Sequence, residues 1–260
     1  MPMVRAWFGL SLSLLVAFFA SAQNLPVSDP QALSLAAQSL AAMTGATAVS
    51  DVTLTGNVTW VAGSDMETGT GAFLAKGTGE SRVDLTLSGG KRSDIRNSSN
   101  GVPQGAWIWN GGASSAYALH NCWTDATWFF PALTSLAASD PSIVLSYVGL
   151  ESRSGAYVQH LHSYRYAGNS AALTKQWSTM DFYLDAASLL PFAVMFNVHA
   201  DNDANINIPV EVDFSNYQLS NGFQVPTHIQ KYLQGGLVLD FVVTGVVVNS
   251  GLPDSEFSIQ

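Results

Sequence analysis

Most of the chain after residue 50 alternates apolar and polar residues, the pattern of strands with one buried face. Residues 52–60, for example, read VTLTGNVTW. Similar runs, separated by turns rich in Gly, Ser and Asn, lie at 71–75, 81–87, 91–95, 106–109, 157–165, 176–184, 191–199, 210–217, 224–232 and 237–248. Because short connections join neighbouring antiparallel strands, the pattern predicts one antiparallel sheet of about nine to eleven strands.

The clearest hairpin in the pattern lies near the end of the chain. Apolar and polar residues alternate on both sides of Asn221-Gly222, a dipeptide typical of tight hairpin turns. Val212 and Phe214 share a strand face opposite Ile229 or its neighbours. A register shift of one residue would reverse that face, so the register decides whether these side chains point inward. Such an apolar face either covers a solid core or lines a cavity.

One helix is predicted at the start of this region. Asp29-Pro30 combines a capping side chain with a proline suited to the first helical turn. Gly45 is expected to end the helix. The apolar residues between them have helical spacing and predict one buried face, made of Leu33, Ala36, Ala37, Leu40 and Met43.

A second, short helix is predicted in the middle of the chain, with Pro131 in its first turn and Asp140-Pro141 ending it. Three bulky aromatic residues precede it, and three in a row are not expected to face one buried direction. Two interpretations stay open: the helix packs as ordinary core, or it forms a lid over a cavity. In the second case the predicted lipid-binding residues are Trp128, Phe129, Phe130, Leu133 and Leu136.

The first 22 residues have the pattern of a signal peptide. Arg5 is followed by an apolar run and by Ala20-Ser21-Ala22, which has the small residues of a signal-peptidase site. We expect cleavage after Ala22, a single domain over residues 23–260, and a periplasmic or secreted protein with no stable membrane span. No cysteine follows the apolar run, which excludes a bacterial lipobox.

Charge narrows the set of partners. The formal net charge is −9, and removal of Arg5 with the signal peptide makes it −10. A strongly acidic chain argues against nucleic acid and anionic membrane surfaces as partners. Charged residues make up 11% of the chain, against roughly 25% in ordinary globular proteins. The hydrated surface is therefore expected to consist of uncharged polar residues.

Signals for catalysis are weak. Cys122 is the single cysteine, and on a strand it would share a face with His120, which raises the hypothesis of a Cys/His nucleophile. No third group that would orient the pair is evident, and cysteine is among the residue types most often buried. We expect no catalytic residue and no enzyme activity.

Signals for a metal or cofactor are also incomplete. The loop that begins at Asp201 spaces its oxygens like a calcium loop, but Ile206 replaces the required glycine and Val212 the required glutamate. His160 and His162 could bind a metal from one strand face, yet no third ligand lies nearby in sequence. We expect neither a metal nor a cofactor.

Four segments together resemble the LolA-like superfamily of bacterial outer-membrane lipoprotein-sorting and periplasmic lipid-carrier proteins. They are the early helix leading into DVTLTGNV, then MDFYLDAASLLPFAV, VEVDFSNYQLSNGFQVPTHIQKY and VVTGVVVNSGLPDSEFSI. The last segment is similar to the family's closing pattern at Val248, Asn249, Leu252, Asp254 and Phe257. The resemblance covers both ends of the chain better than residues 97–169.

The resemblance implies an α+β fold: a strongly curved antiparallel sheet, or incomplete β-barrel, whose concave face is covered by the N-terminal and central helices. It implies an apolar cavity for a lipid, an acyl chain or a lipidated protein, with envelope transport proteins as further partners. The alternatives are an envelope scaffold with a fully packed core and a hydrolase that uses Cys122. A cavity of about 300 Å³ or more would favour the carrier.

Overall fold

The computed structural model describes residues 26–45, 47–124, 126–137, 140–167 and 171–259, with the backbone alone at 136, 137 and 171. The predicted signal peptide and its cleavage site lie outside these residues. None of the helices in this part of the chain has the length and hydropathy that a membrane crossing requires.

A single antiparallel sheet of 13 strands dominates the described residues, in the order β6-β5-β4-β3-β2-β1-β13-β12-β11-β10-β9-β8-β7. The strands are β1 (Asp51–Ala62), β2 (Asp65–Lys76), β3 (Ser81–Leu87), β4 (Gly90–Ser99), β5 (Val102–Trp109), β6 (Ser115–Ala116), β7 (Ile143–Arg153), β8 (Ala156–Arg165), β9 (Met180–Asp185), β10 (Pro191–Ala200), β11 (Asp203–Ser220), β12 (Phe223–Leu233) and β13 (Gly236–Val248). The sheet curls but is open between β6 and β7, which confirms the predicted incomplete barrel.

Within the described residues, three α-helices accompany the sheet: α1 (Pro30–Thr44), α2 (Pro131–Ala137) and α3 (Ala171–Ser178). Short 3₁₀ helices lie at Leu119–Cys122 and Asp254–Phe257. The last three residues of α3 lie in the run 176–184 that was predicted as a strand, and the observed strand begins at Met180 as β9. The C-terminal Ser178 of α3 accepts a hydrogen bond from the backbone N–H of Arg165, so that β8 fixes the end of the helix.

Strand β7 was not predicted, because its apolar residues are consecutive and do not alternate with polar ones. Residues 143–145 read Ile-Val-Leu, and the pairing with β8 shifts register between Tyr147 and Gly149. Such a bulge breaks the period of two that identifies a strand in sequence. Together with the two-residue strand β6, β7 raises the strand count above the predicted range.

The predicted ends of α1 are confirmed, but its predicted buried face is partly wrong. The Asp29 side chain accepts a hydrogen bond from the backbone N–H of Gln31, and Gly45 adopts a left-handed conformation. Leu33, however, is 44% exposed, whereas Ala32 is buried. The backbone N–H of Asp29 donates to the carbonyl of Leu145 on β7. This contact ties the start of the helix to β7, and the helix also packs against α2 and β12, so its buried face depends on contacts distant in sequence.

The hairpin at Asn221-Gly222 has the predicted two-residue turn, with both residues at positive φ. Phe214 pairs with Ile229, and both side chains are buried in the main core together with Val212. The register therefore turns the apolar face of the hairpin toward the concave side of the sheet. These side chains fill the core and do not line either of the cavities described below.

Glycines on β1 and β2 permit the sharp curl of the sheet. A Cβ atom at Gly56 would lie 2.1 Å from the carbonyl oxygen of Val242, where the pairing of β1 and β13 shifts register. A Cβ atom at Gly71 would lie 2.9 Å from the ring of Phe73. Any larger residue at these positions would push the strands or the rings apart.

Residues after β13 clamp the start of β1. Asn249 accepts a hydrogen bond from the backbone N–H of Ser50 and donates one to the carbonyl of Ala48, each at 2.8 Å. The buried carboxylate of Asp51 accepts hydrogen bonds from Ser250 and Gly251. Part of the family-like closing pattern thus has a structural role, since it fastens the C-terminal segment to the first strand.

Two carboxylates lie side by side on the convex face. Arg153 forms an ion pair with Glu211, next to Asp213. Burial, and then the negative charge of Glu211, raise the pKa of Asp213 to about 6. Because the ordinary aspartate pKa is 3.8, the ionised side chain opposes folding above about pH 6, and this opposition fades as the pH falls toward 4.

We expect Asp213→Asn to raise the melting temperature at pH 8, and this gain to shrink as the pH falls through 6. Melting curves of wild type and variant between pH 4.5 and 8 would measure it. Asp65→Asn, at an exposed position, makes the same change in net charge and should show no such pH dependence. A gain that is equal at all pH values, or a loss at pH 8, would contradict the assignment.

Candidate functional site

The centre of the concave face holds a cluster of aromatic rings. The ring of Phe73 on β2 stacks on Phe241 of β13, with centroids 4.0 Å apart. Its edges meet Phe129 at 5.2 Å and Trp128 at 5.9 Å. Edge-to-face and offset-stacked rings at these distances are mutually favourable. The segment before α2 is therefore fastened directly to the middle of the sheet.

Trp128, Phe129 and Phe130 are all buried in the same core. Residues 126–129 form a turn, so successive side chains point in different directions. A curled sheet surrounds this turn on more than one side, and each direction ends in the core. Leu133 of α2 is buried there as well. The side chain of Leu136 lies outside the described part of the structure.

A cavity of about 350 Å³ lies between the two ends of the open sheet. One wall comes from β4 and β5, the other from β7, β8 and β9, and residues 122–124 and 126–134 lie between them. Its apolar lining includes Trp123, Trp128, Ile143, Met180 and Phe182, and its polar lining includes Arg96, Asp140, Arg165 and several Ser and Thr residues. Of the predicted lipid-binding residues whose side chains are described, Trp128 lines this cavity, whereas Phe129, Phe130 and Leu133 pack behind it.

A second cavity, of about 190 Å³, lies deeper under β3, β4, β12 and β13. Its walls include the side chains of Trp60, Val83, Leu85, Tyr117 and Leu239. Trp128 and Arg96 line both cavities, so the two spaces adjoin. The second cavity also contains Arg92, Asp94 and Lys231, which the sequence analysis did not identify.

The charged residues of the second cavity are held by aromatic rings. The guanidinium of Arg92 lies 5.7 Å from the ring centroid of Trp60 and pairs with Asp94 at 3.1 Å. Burial alone would lower the pKa of Arg92, but Asp94 outweighs it and the pKa is raised. Tyr117 donates a hydrogen bond to Asp94, and burial raises the pKa of this phenol well above its ordinary value. Tyr117 is therefore a neutral donor at physiological pH.

The segment that precedes α2 is also tied to β10. The side-chain amide of Asn121 donates to the carbonyl of His199 at 2.8 Å and accepts from its backbone N–H at 2.7 Å. Arg96 donates to the carbonyl of Asn121 at 2.6 Å. Asn121 thus joins β4 to β10 across the mouth of the curled sheet.

Cys122 and His120 do not lie on a strand, which contradicts the geometry behind the nucleophile hypothesis. They belong to the 3₁₀ helix Leu119–Cys122. With three residues per turn, side chains two positions apart point to different sides. The His120 ring approaches the carbonyl of Ala200, and the Cys122 thiol approaches that of Ala118.

The two histidines considered as metal ligands share one carboxylate. His160 Nε2 and His162 Nδ1 each lie 2.9 Å from Asp181 Oδ1. Burial alone would raise the pKa of Asp181, but the hydrogen bonds from both histidines outweigh it and the pKa is lowered. In the calcium-like loop, Asp203 accepts a hydrogen bond from the backbone N–H of Asn205. No group of three or more His, Cys, Asp or Glu side chains among the described residues is arranged to hold a metal ion.

The architecture has known counterparts: a curled, open antiparallel sheet with α1 and α2 on its concave face. A domain named for outer-membrane lipoprotein sorting, from Vibrio parahaemolyticus, superposes with a TM-score of 0.56 over 87% of this chain and 96% of its own, at 11% identity. The fold is that of LolA-like proteins.

Two further LolA-like folds match over similar lengths. A LolA-superfamily protein from Nitrosomonas europaea has a TM-score of 0.50 and 13% identity, covering 87% of this chain and 97% of its own. A DUF1329 family protein from Desulfovibrio piger has a TM-score of 0.55 and 12% identity, covering 88% and 98%. No family model matches the sequence, and no curated protein is significantly similar to it. At these identities the comparisons show the fold.

Proposed function

We propose that this protein is an exported, non-enzymatic carrier that shields an acyl chain of a lipid or lipidated protein from water. The observation that carries the proposal is the cavity of about 350 Å³ between the ends of the LolA-like sheet. Ligand cavities in proteins begin at about 300 Å³, so the space suits a bound molecule. A scaffold with a fully packed core, the alternative from the sequence, would lack this space.

The apolar part of the cavity lining suits a hydrocarbon chain. Trp123, Ile143 and Phe182 approach it from three different parts of the chain. Each methylene buried against such side chains contributes about 0.8 kcal/mol, so a single acyl chain gains appreciable affinity without a specific polar contact. Catalysis is not needed for this role.

In this proposal Trp128 contacts the ligand directly, while Phe129, Phe130 and Leu133 hold the segment against Phe73. Leu136 stays a predicted contact. The neighbour from Vibrio parahaemolyticus is named for lipoprotein sorting. By analogy we assign this chain a place in envelope lipid or lipoprotein traffic, with transport proteins of the envelope as donor and acceptor.

Titration with a fluorescent fatty-acyl probe tests the proposal. We expect saturable binding by the wild type and about tenfold weaker binding by Trp128→Ala, which loses a large contact with the chain. Trp177→Ala is the control, because Trp177 lies on α3 and lines neither cavity. All measurements are made below the melting temperature of each variant.

Equal probe affinity in wild type and folded Trp128→Ala would show that Trp128 does not contact the ligand. Absence of saturable binding by the wild type would contradict the carrier itself. A similar loss of affinity in Trp177→Ala would mean that the loss in Trp128→Ala comes from general destabilisation. It would count against the proposed site.

A further inference from the structure

We propose that His199 on β10 is a pH-sensitive latch for residues 119–124, the mouth segment, which cross the mouth of the curled sheet. The uncharged ring keeps the mouth segment in place, and a proton on the ring releases it. The proposal is carried by the burial of the ring, by its lack of hydrogen bonds and by the contacts between β10 and the mouth segment. It goes beyond the carrier function and requires no particular ligand.

The ring of His199 is buried without polar partners. The residue is 3% exposed, and neither ring nitrogen makes a hydrogen bond of good geometry to the described residues. A protonated ring in this position would bury a positive charge and two N–H donors without acceptors, which costs far more than burial of the neutral ring. Acidification therefore favours a state in which the ring reaches water.

The pKa of His199 agrees with this geometry. Burial, and then the neighbouring His120, lower it below the ordinary 6.5, while the nearby backbone of Ile206 opposes both effects. In an open state the exposed ring would titrate near the ordinary value. The closed state therefore becomes less stable relative to the open state as the pH falls below 6.5, and this loss is complete below the lowered pKa.

The other titratable ring at this contact opposes a proton on His199. The His120 ring faces His199 from the mouth segment, with the ring centroids 5.8 Å apart. Protons on both rings would place two positive charges side by side. Arg96 of β4 adds a further positive charge at the carbonyl of Asn121. These groups favour release of the mouth segment once His199 is protonated.

The carboxylates of the adjoining turn are bonded elsewhere. Asp201 accepts a hydrogen bond from the side-chain amide of Asn121 at 3.3 Å, and Asp203 accepts from Asn205. On α3, which also packs against β10, Lys175 lies over the ring of Tyr164. No carboxylate among the described residues raises the pKa of His199. A proton on the ring thus has no counter-ion in the closed state.

His199 is coupled to the mouth segment through its own backbone. Asn121 accepts a hydrogen bond from the N–H of His199 at 2.7 Å and donates one to its carbonyl at 2.8 Å. The His120 ring lies 3.1 Å from the carbonyl of Ala200, and the pairing of β10 with β11 shifts register between His199 and Ala200. Movement of the ring toward water therefore disturbs the contacts that hold the mouth segment. Three residues of this segment line the larger cavity: Cys122, Trp123 and Thr124.

Cys122, the single cysteine of the chain, reports the position of the mouth segment. It is 6% exposed, so a thiol reagent reaches it when the segment moves. The rate of its reaction with 4,4′-dithiodipyridine is measured at pH 7.5 and pH 5. Division of the rate for free cysteine at the same pH by this rate gives a protection factor that is independent of thiol ionisation. We expect the protection factor to fall at least about threefold at pH 5, since a pKa difference of one between two states changes their ratio about tenfold.

His199→Leu tests the residue assignment, with His228→Gln as the matched control. His228 is a half-buried histidine on β12 that pairs with Asp240. We expect His199→Leu to keep the same protection factor at both pH values and His228→Gln to show the fall of the wild type. His120→Gln is a second variant at a less buried position. It removes the neighbouring charge and should show a smaller fall than the wild type.

A protection factor of the wild type that is equal at pH 7.5 and pH 5 would overturn the latch, whether or not the variants fold. An equal fall in wild type and His199→Leu would overturn it as well, because the effect would then come from other groups. The same holds if His228→Gln abolishes the fall. The thiol reaction needs no ligand, so failure of the latch leaves the carrier proposal standing, and failure of the carrier leaves the latch standing.

Discussion

Replacement of Phe73 by alanine is expected to lower the free energy of unfolding by about 3–5 kcal/mol, the usual cost of removing a buried phenylalanine. The side chain is fully buried, and its ring contacts Phe241, Phe129 and Trp128. The variant would leave a space between the sheet and the segment before α2. Urea denaturation of wild type and variant measures the difference, provided that the slopes of the two transitions agree.

Tyr157→Ala is the control for the loss of an aromatic side chain. Tyr157 is 68% exposed at the start of β8, so its replacement should change the free energy of unfolding by less than about 1 kcal/mol. Similar effects of the two substitutions would contradict the aromatic cluster as the centre of the core.

Replacement of Asp51 by alanine is expected to cost about 1.5–3 kcal/mol, because several hydrogen bonds to a charged acceptor would be lost. The carboxylate accepts hydrogen bonds from the backbone N–H and the hydroxyl of Ser250, both at 2.8 Å, and from the N–H of Gly251 at 3.0 Å. Asp254→Ala is the control in the same region. Asp254 pairs with Lys76, but its side chain is 91% exposed, and such pairs contribute about 0–1 kcal/mol.

The sign of the pH effect at Asp51 follows from its hydrogen bonds. Burial alone would raise the pKa of Asp51, but hydrogen bonds from Ser250, Ser50 and Gly251 outweigh it and lower the pKa below the ordinary 3.8. Its stabilising contribution is therefore complete above about pH 4 and is lost as the pH falls through the lowered value. The stability difference between wild type and Asp51→Ala should shrink below pH 4. A stability difference that is constant down to pH 2 would contradict the proposed role of the Asp51 carboxylate. Equal losses of stability in Asp51→Ala and Asp254→Ala would contradict it as well.

Local signals in the sequence predicted the parts of the fold that depend on neighbouring residues. The turn at Asn221-Gly222 and the ends of α1 at Asp29 and Gly45 follow from backbone conformation and capping, which a few residues determine. The buried face of α1 depends instead on packing against α2, β7 and β12, and Asp29 is bonded to Leu145 on β7, 116 residues away. The bulge in β7 also depends on its partner strand. Such features are properties of the folded chain.

The candidate site was predictable only in part for the same reason. Trp128 stood out because three aromatic residues precede a short helix, although the burial of all three requires the curl of the sheet. Arg92 and Lys231 are 139 positions apart in sequence. Both line the second cavity, because β1 pairs with β13, which brings β4 and β12 into one concave surface. The period-two pattern of β4 places Arg92 and Arg96 on one face, and this was the one available signal for the charged lining of that cavity.

Native mass spectrometry of protein isolated from its own cell envelope tests the central claim most directly. The proposed carrier should retain one amphiphile, seen as a stoichiometric mass above that of the polypeptide, and solvent extraction should remove it and open the cavity to the fluorescent acyl probe. A polypeptide mass alone, combined with no saturable uptake of the probe before or after extraction, would contradict the carrier.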